Sequence, residues 1–514
     1  MIDLADIRSL AVLGLGSSGR AAALLAARRL TGVAVTALDA KREEELGATP
    51  AELRSAGVAL DIGPRAHLPE GVDLLVKSPG VPNQSPVVQA ALARAVPIWG
   101  EFEFAYRFLD ATTIAITGTN GKTTTTELTG AILAGAGLAV VIAGNVGHPI
   151  ALVPDQAPPG AIVVAEVSSF QMEYVERFRP RVAVLLNLTE DHLDRHVTYA
   201  GYVAAKLRVF ENQREDDLAL LNGDDPGVAA ELERHVARGT GGPAEREVAP
   251  GAAPAGRGAV PGRGQLGFFA LGAGRGPVRA GLDGELLWVT GEDGRREPLC
   301  RRGELALKGE HNLSNSLAAA AAAAAVGVAP PDIARTLMHF PGVAHRLQVV
   351  GTVGGVTYVN DSKATNIDST LKALTAYWGP VHLILGGYGK GSPFDELARA
   401  CVGRVKEAIL IGKAAPELEE AFARVAAAVA AGRAGVHAVG SGEKDGALAD
   451  VSDPPPPRVT VPDLPAALEH ARRVAEPGDV VLLSPACASY DQYRNFEERG
   501  EHFTAMVREL EERS

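Results

Sequence analysis

The stretch Thr113-Ile114-Ala115-Ile116-Thr117-Gly118-Thr119-Asn120-Gly121-Lys122-Thr123-Thr124 decides the fold. Its first five residues are apolar or β-branched and read as a buried strand. The strand runs directly into a glycine-containing loop, and a helix is expected to follow. In that setting successive backbone N–H groups and the helix terminus surround phosphate oxygens. Lys122 can neutralise charge that develops on a transferred phosphoryl group, and Thr123 supplies a hydroxyl suited to magnesium. The spacing departs from the common eight-residue phosphate loop, because Ile116 stands where its first glycine would be. The strand-loop-helix context that gives the motif its meaning is retained. Gly118, Thr119, Asn120, Gly121, Lys122, Thr123 and Thr124 are therefore expected to bind ATP through its phosphates.

Downstream, Ala161 to Ala165 and Val182 to Leu186 are further strand candidates, each ending where polar residues begin. Functional loops gather in this way at the carboxyl ends of parallel strands. Glu166 follows the first of these strands and offers the hard oxygen that magnesium takes. An isolated Glu at a strand end is more often solvated; the upstream phosphate loop is what makes Glu166 a metal-ligand candidate. The second strand ends in Asn187-Leu188-Thr189-Glu190-Asp191-His192-Leu193-Asp194-Arg195-His196. Its position places His192 over the same phosphate site as a metal or substrate contact, with His196 the weaker candidate. Lys206, in Ala204-Ala205-Lys206-Leu207-Arg208, reads by composition alone as a surface lysine.

On the N-terminal side, the apolar run Ser9 to Leu15 meets Gly14, Gly16 and Gly19 and precedes an Ala/Leu-rich helix through Leu30. A strand from Ala34 to Leu38 ends at Asp39, and Leu74 to Val76 leads into Lys77-Ser78-Pro79-Gly80. This is the order of an α/β nucleotide-binding unit of about 100 residues. Gly14-Leu15-Gly16-Ser17-Ser18-Gly19 lets a diphosphate approach the helix, but its spacing leaves a dinucleotide, a nucleotide sugar and a tight structural turn all open.

On the C-terminal side, Arg238 to Arg279 is rich in Gly, Pro, Ala and Arg. Part of it can form strands with long turns, and its centre reads as a mobile surface insertion dispensable for the reaction. A helix near Leu313 to Val326 precedes a boundary at Phe340-Pro341-Gly342. A third α/β domain follows, with strands Val356 to Asn360, His382 to Leu385 and Val480 to Leu483. Val451 to Pro462, with four consecutive prolines, reads as a rigid surface loop.

The chain has 514 residues, 46% hydrophobic and 22% charged, enough for two to four folded domains and unlike a disordered chain. A net charge of -12 argues against broad nucleic-acid binding, which needs clustered Lys and Arg. The three widely spaced cysteines, Cys300, Cys401 and Cys487, give neither a disulfide framework nor a metal pattern and suit a reducing compartment. No secretory signal is legible at the start, and the greasiest run, Leu317 to Val326, is too short to cross a bilayer.

Several separated blocks carry a family resemblance: Thr117-Gly118-Thr119-Asn120-Gly121-Lys122-Thr123, Gly144-Asn145-Val146-Gly147, Glu166-Val167-Ser168-Ser169-Phe170-Gln171, Thr189-Glu190-Asp191-His192-Leu193-Asp194-Arg195, His311-Asn312, His345-Arg346, Asn360-Asp361-Ser362-Lys363-Ala364-Thr365-Asn366 and Ser484-Pro485-Ala486-Cys487-Ala488-Ser489. In that order they resemble the bacterial Mur ligase family, and within it the branch that adds D-glutamate. The resemblance implies an α/β architecture of three domains: a Rossmann-like uridine-nucleotide domain over 1–100, a central phosphate-loop ATPase domain over 101–342, and a C-terminal α/β domain over 343–514 that contacts the amino acid and ATP. It implies a cytoplasmic, ATP- and Mg2+-dependent ligase that phosphorylates the carboxylate of UDP-N-acetylmuramoyl-L-alanine and condenses it with D-glutamate.

The same resemblance distributes roles. Lys122, Glu166, His192, Lys206 and Arg346 would be catalytic; Thr123, Glu166, His192 and Lys206, the last carbamylated by carbon dioxide, would hold magnesium. Asn312 and Asn315 would lie near the nucleotide base, Asp361 near its ribose and Arg346 near the transferred phosphate. Ser18, Asp39, Ser78, Asn145 and His192 would bind the uridine-linked substrate, although Ala40-Lys41 departs from the polar-basic pair familiar there. Lys363, Thr365, Lys390, Ser489 and Phe496 would bind D-glutamate. Neither nucleic-acid binding nor membrane insertion is expected, and a monomer is the default. The alternatives are another amino-acid ligase of the superfamily and, in a different class, a nonenzymatic ATP-responsive protein, which would leave the carboxylate and amine motifs without a common task.

Overall fold

Strands β1 (Ser9–Leu13), β2 (Ala34–Asp39), β3 (Ala59–Ile62), β4 (Leu74–Lys77) and β5 (Ile98–Gly100) form a parallel sheet in the order β3-β2-β1-β4-β5. Strand order reverses between β1 and β4, and ligands of such sheets bind in the crevice at the carboxyl ends of the strands flanking that point. The Gly14 turn and Ser78 lie there. The computed structural model in which this is seen describes residues 3–191, 193–196, 198–237, 264–272, 276–291, 293–376, 380–389, 393–430 and 454–513.

The second sheet takes β6 (Thr112–Thr117), β7 (Val140–Gly144), β8 (Ile162–Glu166), β9 (Val182–Leu185), β10 (Leu218–Asn222), β11 (Gln265–Ala270), β12 (Val278–Asp283), β13 (Leu286–Thr290) and β14 (Arg296–Arg301). Its order is β14-β13-β12-β11-β10-β9-β6-β8-β7, with the strands from β7 to β12 parallel and the last two antiparallel. The central strands are buried along their length, which is why they are written in Val, Ile, Leu and Ala without alternation. Register matters more than composition for the site. Ile116 pairs with both Glu166 and Val184, and Glu166 pairs with Gly144, so the loops after β6, β7, β8 and β9 all leave the sheet at one level.

The third sheet, β15-β16-β20-β17-β18-β19, is built from β15 (Gln348–Val353), β16 (Val356–Asn360), β17 (Val381–Gly386), β18 (Val405–Ile411), β19 (Arg458–Thr460) and β20 (Val480–Leu483). Only β15 runs antiparallel to its neighbour. Leu483 pairs with both Asn360 and Ile384, so the segments after these three strands again emerge together.

The chain divides into two compact units, Met1–Phe340, which holds the first two sheets, and Pro341–Ser514, which holds the third. The expected boundary at Phe340-Pro341-Gly342 coincides with that division. Within Val451 to Pro462 the loop expectation needs correction: Arg458–Thr460 pairs with β18 as an edge strand, because three residues free of proline suffice for pairing once the neighbouring strand is present. Of the Gly/Pro/Arg-rich stretch, 238–263 lies outside the described residues, while its later part forms β11 and begins β12. All three cysteines are buried and free. Among the described residues no helix is long and apolar enough to cross a membrane.

Candidate active site

The loop after β6 is shaped by its neighbours. Gly118 has φ +152°, and a Cβ there would lie 2.9 Å from the Leu186 Cβ; Gly121, at φ +82°, would place one 2.4 Å from the Asn315 side-chain oxygen. The helix Lys122–Gly135 starts on that left-handed glycine. Asn187, the second residue past β9, clasps the loop: its Oδ1 accepts from the Asn120 N–H (2.8 Å) and its Nδ2 donates to the Asn120 carbonyl (3.1 Å). The Asn187 carbonyl accepts from the Thr119 N–H at 3.1 Å. Thr119 Oγ1 lies 2.9 Å from the Tyr202 hydroxyl. Lys122 folds over the loop, its ammonium donating to the carbonyls of Gly118 (3.0 Å) and Thr119 (2.8 Å). Thr123 and Thr124 are buried in the first helical turn.

Lys206 is not a surface lysine. The helix Tyr199–Leu207 carries it beneath the loop, where it is 2% exposed, donates to the Gly118 carbonyl at 2.7 Å and lies 4.6 Å from the centre of the Tyr202 ring. Burial first, and the Lys122 ammonium second, push its amine down to about 6, against opposing pulls from Asp191 and Glu166. At neutral pH the amine is therefore mostly uncharged. Composition could not show this, since small flanking residues suit either surface or interior.

Glu166 ends β8 and is 2% exposed. Its Oε1 accepts from the Asn145 side-chain amide at 2.8 Å, and the Asn145 N–H donates to its carbonyl at 2.9 Å. Among the described residues its Oε2 is buried without a hydrogen-bond partner. A carboxylate oxygen left bare in this way is costly unless a cation or donor completes it. A carboxylate oxygen is the kind of hard donor a divalent ion takes, and Lys206 lies near enough to Glu166 to feel its charge. Among the described residues no group of three or more His, Cys, Asp or Glu comes together as a metal cluster, and His192 lies outside the described residues.

At the first sheet, Gly14 (φ +87°) turns the chain out of β1, and a Cβ on Gly19 would lie 1.7 Å from the Gly14 carbonyl oxygen. Only glycine permits that approach. Asp39 binds the Leu15 N–H (2.6 Å) with one oxygen and the Lys41 N–H (2.8 Å) with the other, and Ser78 Oγ donates to the Gly14 carbonyl at 2.7 Å. Both side chains thus shape the turn. Ser18 is half-buried in the first turn of the helix Ser17–Arg29. Asn315 packs on Gly121 and donates to the Asn312 side chain at 3.3 Å, so this pair borders the phosphate loop.

Sequence reasoning passed over a buried junction beside this turn. Lys77 and Arg195 both reach one oxygen of Glu173, at 3.4 and 3.1 Å, and Arg195 also donates to the Val81 carbonyl at 3.0 Å. His196 lies 2.9 Å from Ser169 Oγ and stacks on Phe170. The only clue in the sequence was Lys77 at the end of an apolar strand.

In the C-terminal unit, the Asp361 carboxylate is buried and used twice, accepting from the Ser484 hydroxyl (2.7 Å) and the Leu347 N–H (3.2 Å); burial raises it to about 7. His345, at φ +61°, and Leu347, at φ +44°, bracket the half-buried Arg346. The Lys363 ammonium sits 5.6 Å from the centre of the Phe496 ring. Ser489 is buried at the end of the segment after β20, and Thr365 is half-buried. Lys390 lies outside the described residues.

Residues 116–245 match the Mur ligase middle domain, and residues 345–487 match the Mur ligase, glutamate ligase domain. The chain is 40% identical over 506 residues to the UDP-N-acetylmuramoylalanine–D-glutamate ligase of Pelotomaculum thermopropionicum, covering 97% of each chain. The chain belongs to the Mur ligase family. The enzyme of the same name from Myxococcus xanthus is 40% identical over 510 residues, covering 97% of this chain and 98% of that one. In fold, the chain is similar to the crystal structure of MurF from Acinetobacter baumannii, with a TM-score of 0.53 at 17% identity over 98% and 94% of the two chains. The three-sheet α/β architecture is that of the family.

Proposed function

We propose that this protein joins D-glutamate to the L-alanyl carboxylate of UDP-N-acetylmuramoyl-L-alanine, converting ATP to ADP and phosphate, in the synthesis of peptidoglycan precursors. The observation that carries this reading is the end-to-end similarity, at 40% identity over 97% of the chain, to ligases that bear that activity in their names. The phosphate loop, the bare Glu166 oxygen and the uncharged Lys206 amine support it chemically.

A free carboxylate resists an amine because resonance and negative charge lower its electrophilicity. Transfer of the ATP γ-phosphoryl group to a carboxylate oxygen makes an acyl phosphate. The D-glutamate amine then attacks the carbonyl carbon, the tetrahedral intermediate expels phosphate, and the nitrogen loses a proton to leave an amide. Thr123, Glu166, His192 and Lys206 would hold magnesium, which when bound neutralises charge on the phosphate oxygens. The loop amides from Gly118 to Thr124 orient the ATP phosphates. Lys122 exchanges the Gly118 and Thr119 carbonyls for the moving phosphoryl charge.

Lys206 enters as a carbamate. Its uncharged nitrogen attacks carbon dioxide and releases one proton, so a buried amine becomes an anion able to ligate the metal. The depressed basicity supports this, because a protonated lysine cannot react. Asn312, Asn315, Arg346 and Asp361 serve ATP; Ser18, Asp39, Ser78, Asn145 and His192 serve the uridine-linked substrate; Lys363, Thr365, Lys390, Ser489 and Phe496 serve D-glutamate. Domain limits of 1–100, 101–342 and 343–514 and a cytoplasmic site of action, where ATP and the nucleotide substrate occur, complete the reading. Mass spectrometry of the product formed from UDP-N-acetylmuramoyl-L-alanine, D-glutamate, magnesium and ATP tests it. A D-glutamyl amide formed in step with phosphate is expected, and absence of both from folded protein refutes it.

A further inference from the structure

Arg499 lies in the first turn of the helix Phe496–Glu512 and is 1% exposed. Its Nε donates to Ser362 Oγ at 2.9 Å, and its Nη2 donates to the carbonyls of Ser362 and Cys487 at 2.8 and 3.2 Å. All of these acceptors are neutral. Among the described residues Nη1 is buried and has no hydrogen-bond partner. It faces the glycine loop after β17: a Cβ on Gly387 would lie 3.2 Å from Nη1. Asp491, which acts on the guanidinium through space, accepts instead from the Lys413 N–H at 3.0 Å. Burial lowers the guanidinium to about 10, which leaves it cationic at neutral pH.

Three unfavourable features coincide here. Among the described residues the cation has no hydrogen-bonded carboxylate and one unmet donor, and it occupies the end of a helix whose own dipole is positive. An anion nearby would relieve all three. The surroundings show where it belongs. Ser362, which also donates to the Phe496 carbonyl at 2.8 Å, directly precedes Lys363; Cys487 stands two residues before Ser489. Tyr388 and Ala488 exchange backbone hydrogen bonds of 2.8 and 3.1 Å, tying the glycine loop to the Ser489 segment. One guanidinium therefore fixes the segments that carry Lys363, Thr365, Ser489 and Phe496.

We propose that Arg499 is a positioning residue that sets affinity for the incoming dicarboxylic amino acid, by pinning the Ser362-Lys363 and Cys487-Ser489 segments and by placing a buried cation behind the Gly387 backbone. This rests on the assignment of Lys363 and its neighbours to D-glutamate. Arg499→Met is expected to raise the KM for D-glutamate at least about tenfold while the KM values for ATP and the uridine-linked substrate stay within about twofold. Arg499→Lys, which keeps the charge and loses the fork, recovers part of that loss. Ser362→Ala frees one arm without removing a buried charge; should Arg499→Met not fold, this variant decides, with a severalfold rise confined to D-glutamate. Lys363→Ala is measured beside them. If it raises the KM for D-glutamate and neither Arg499→Met nor Ser362→Ala does, the proposal is overturned and the subsite assignment stands. If Lys363→Ala also leaves that KM unchanged, the subsite assignment itself is wrong.

Discussion

Replacing Lys206 by alanine removes the group on which the metal-site reading turns. The amine is 2% exposed, bonded to the Gly118 carbonyl at 2.7 Å and lowered to about 6. At pH 7 about nine-tenths of such amines are uncharged, against roughly one in three thousand for an ordinary lysine, so the fraction able to take up carbon dioxide is roughly three-thousandfold larger. Losing one anionic metal ligand in a water-poor site raises the barrier by about 3–4 kcal/mol, a decrease in turnover of roughly a hundred- to thousandfold. Phosphate release, with the amide product followed by mass spectrometry, measures that decrease. Carbon-13 NMR in labelled bicarbonate should show a carbamate signal in the native protein and none in the variant, and a short carboxylic acid should restore part of the activity. As pH falls through about 6 the amine protonates and activity falls. The folded-state value lies below the unfolded one, so the unfolded chain binds the extra proton between about 6 and 10.5; stability of the unmodified protein rises with pH across that window, and Lys206→Met removes the slope. Near-normal turnover in Lys206→Ala, or native protein without a carbamate signal, refutes the reasoning.

Lys122→Ala should lower single-turnover phosphate release by at least about a thousandfold with the thermal midpoint little changed, since its ammonium bonds to the loop carbonyls of Gly118 and Thr119 and the role proposed for it is on phosphoryl charge. Asn187→Ala deletes both side-chain bonds to Asn120 and should raise the KM for ATP about tenfold, the effect of about 1.4 kcal/mol; an unchanged value would show that the loop holds its shape without the clasp. Glu166→Gln keeps the bond geometry available to Asn145 while removing the charge beside the bare oxygen, and should shift the magnesium concentration for half-maximal activity upward by about tenfold or more in a metal titration. Gly19→Ala forces a methyl into the Gly14 carbonyl and should cost about 1–3 kcal/mol of stability and weaken binding of the uridine-linked substrate, read by thermal unfolding and calorimetry.

Much of the candidate site was legible in the chain because it rests on local geometry. Gly118, Gly121 and Lys122 adopt a phosphate loop wherever a buried strand feeds a helix, and the apolar runs of β6, β8 and β9 announce a parallel sheet covered on both faces. Glu166 was legible as the first polar residue past such a strand. Asn187 was passed over although it occupies the same kind of position, because nothing local distinguishes a side chain that clasps a neighbouring loop from one that meets solvent. Lys77, Glu173 and Arg195 were missed for a related reason: their carboxylate and cations come from segments about a hundred residues apart or less, and each alone looks like a surface charge.

The sequence by itself determined the strand, glycine loop and helix over Thr113 to Thr124, the α/β class and, through its spaced motifs, the family. These follow from short-range periodicity and glycine placement, which act within a few residues. Only the tertiary structure decided that Lys206 is a buried amine of lowered basicity and that, among the described residues, one oxygen of Glu166 is left bare and Arg499 donates to neutral acceptors. Each of those is a property of desolvation, and desolvation depends on which distant segments close over a side chain rather than on the residues beside it.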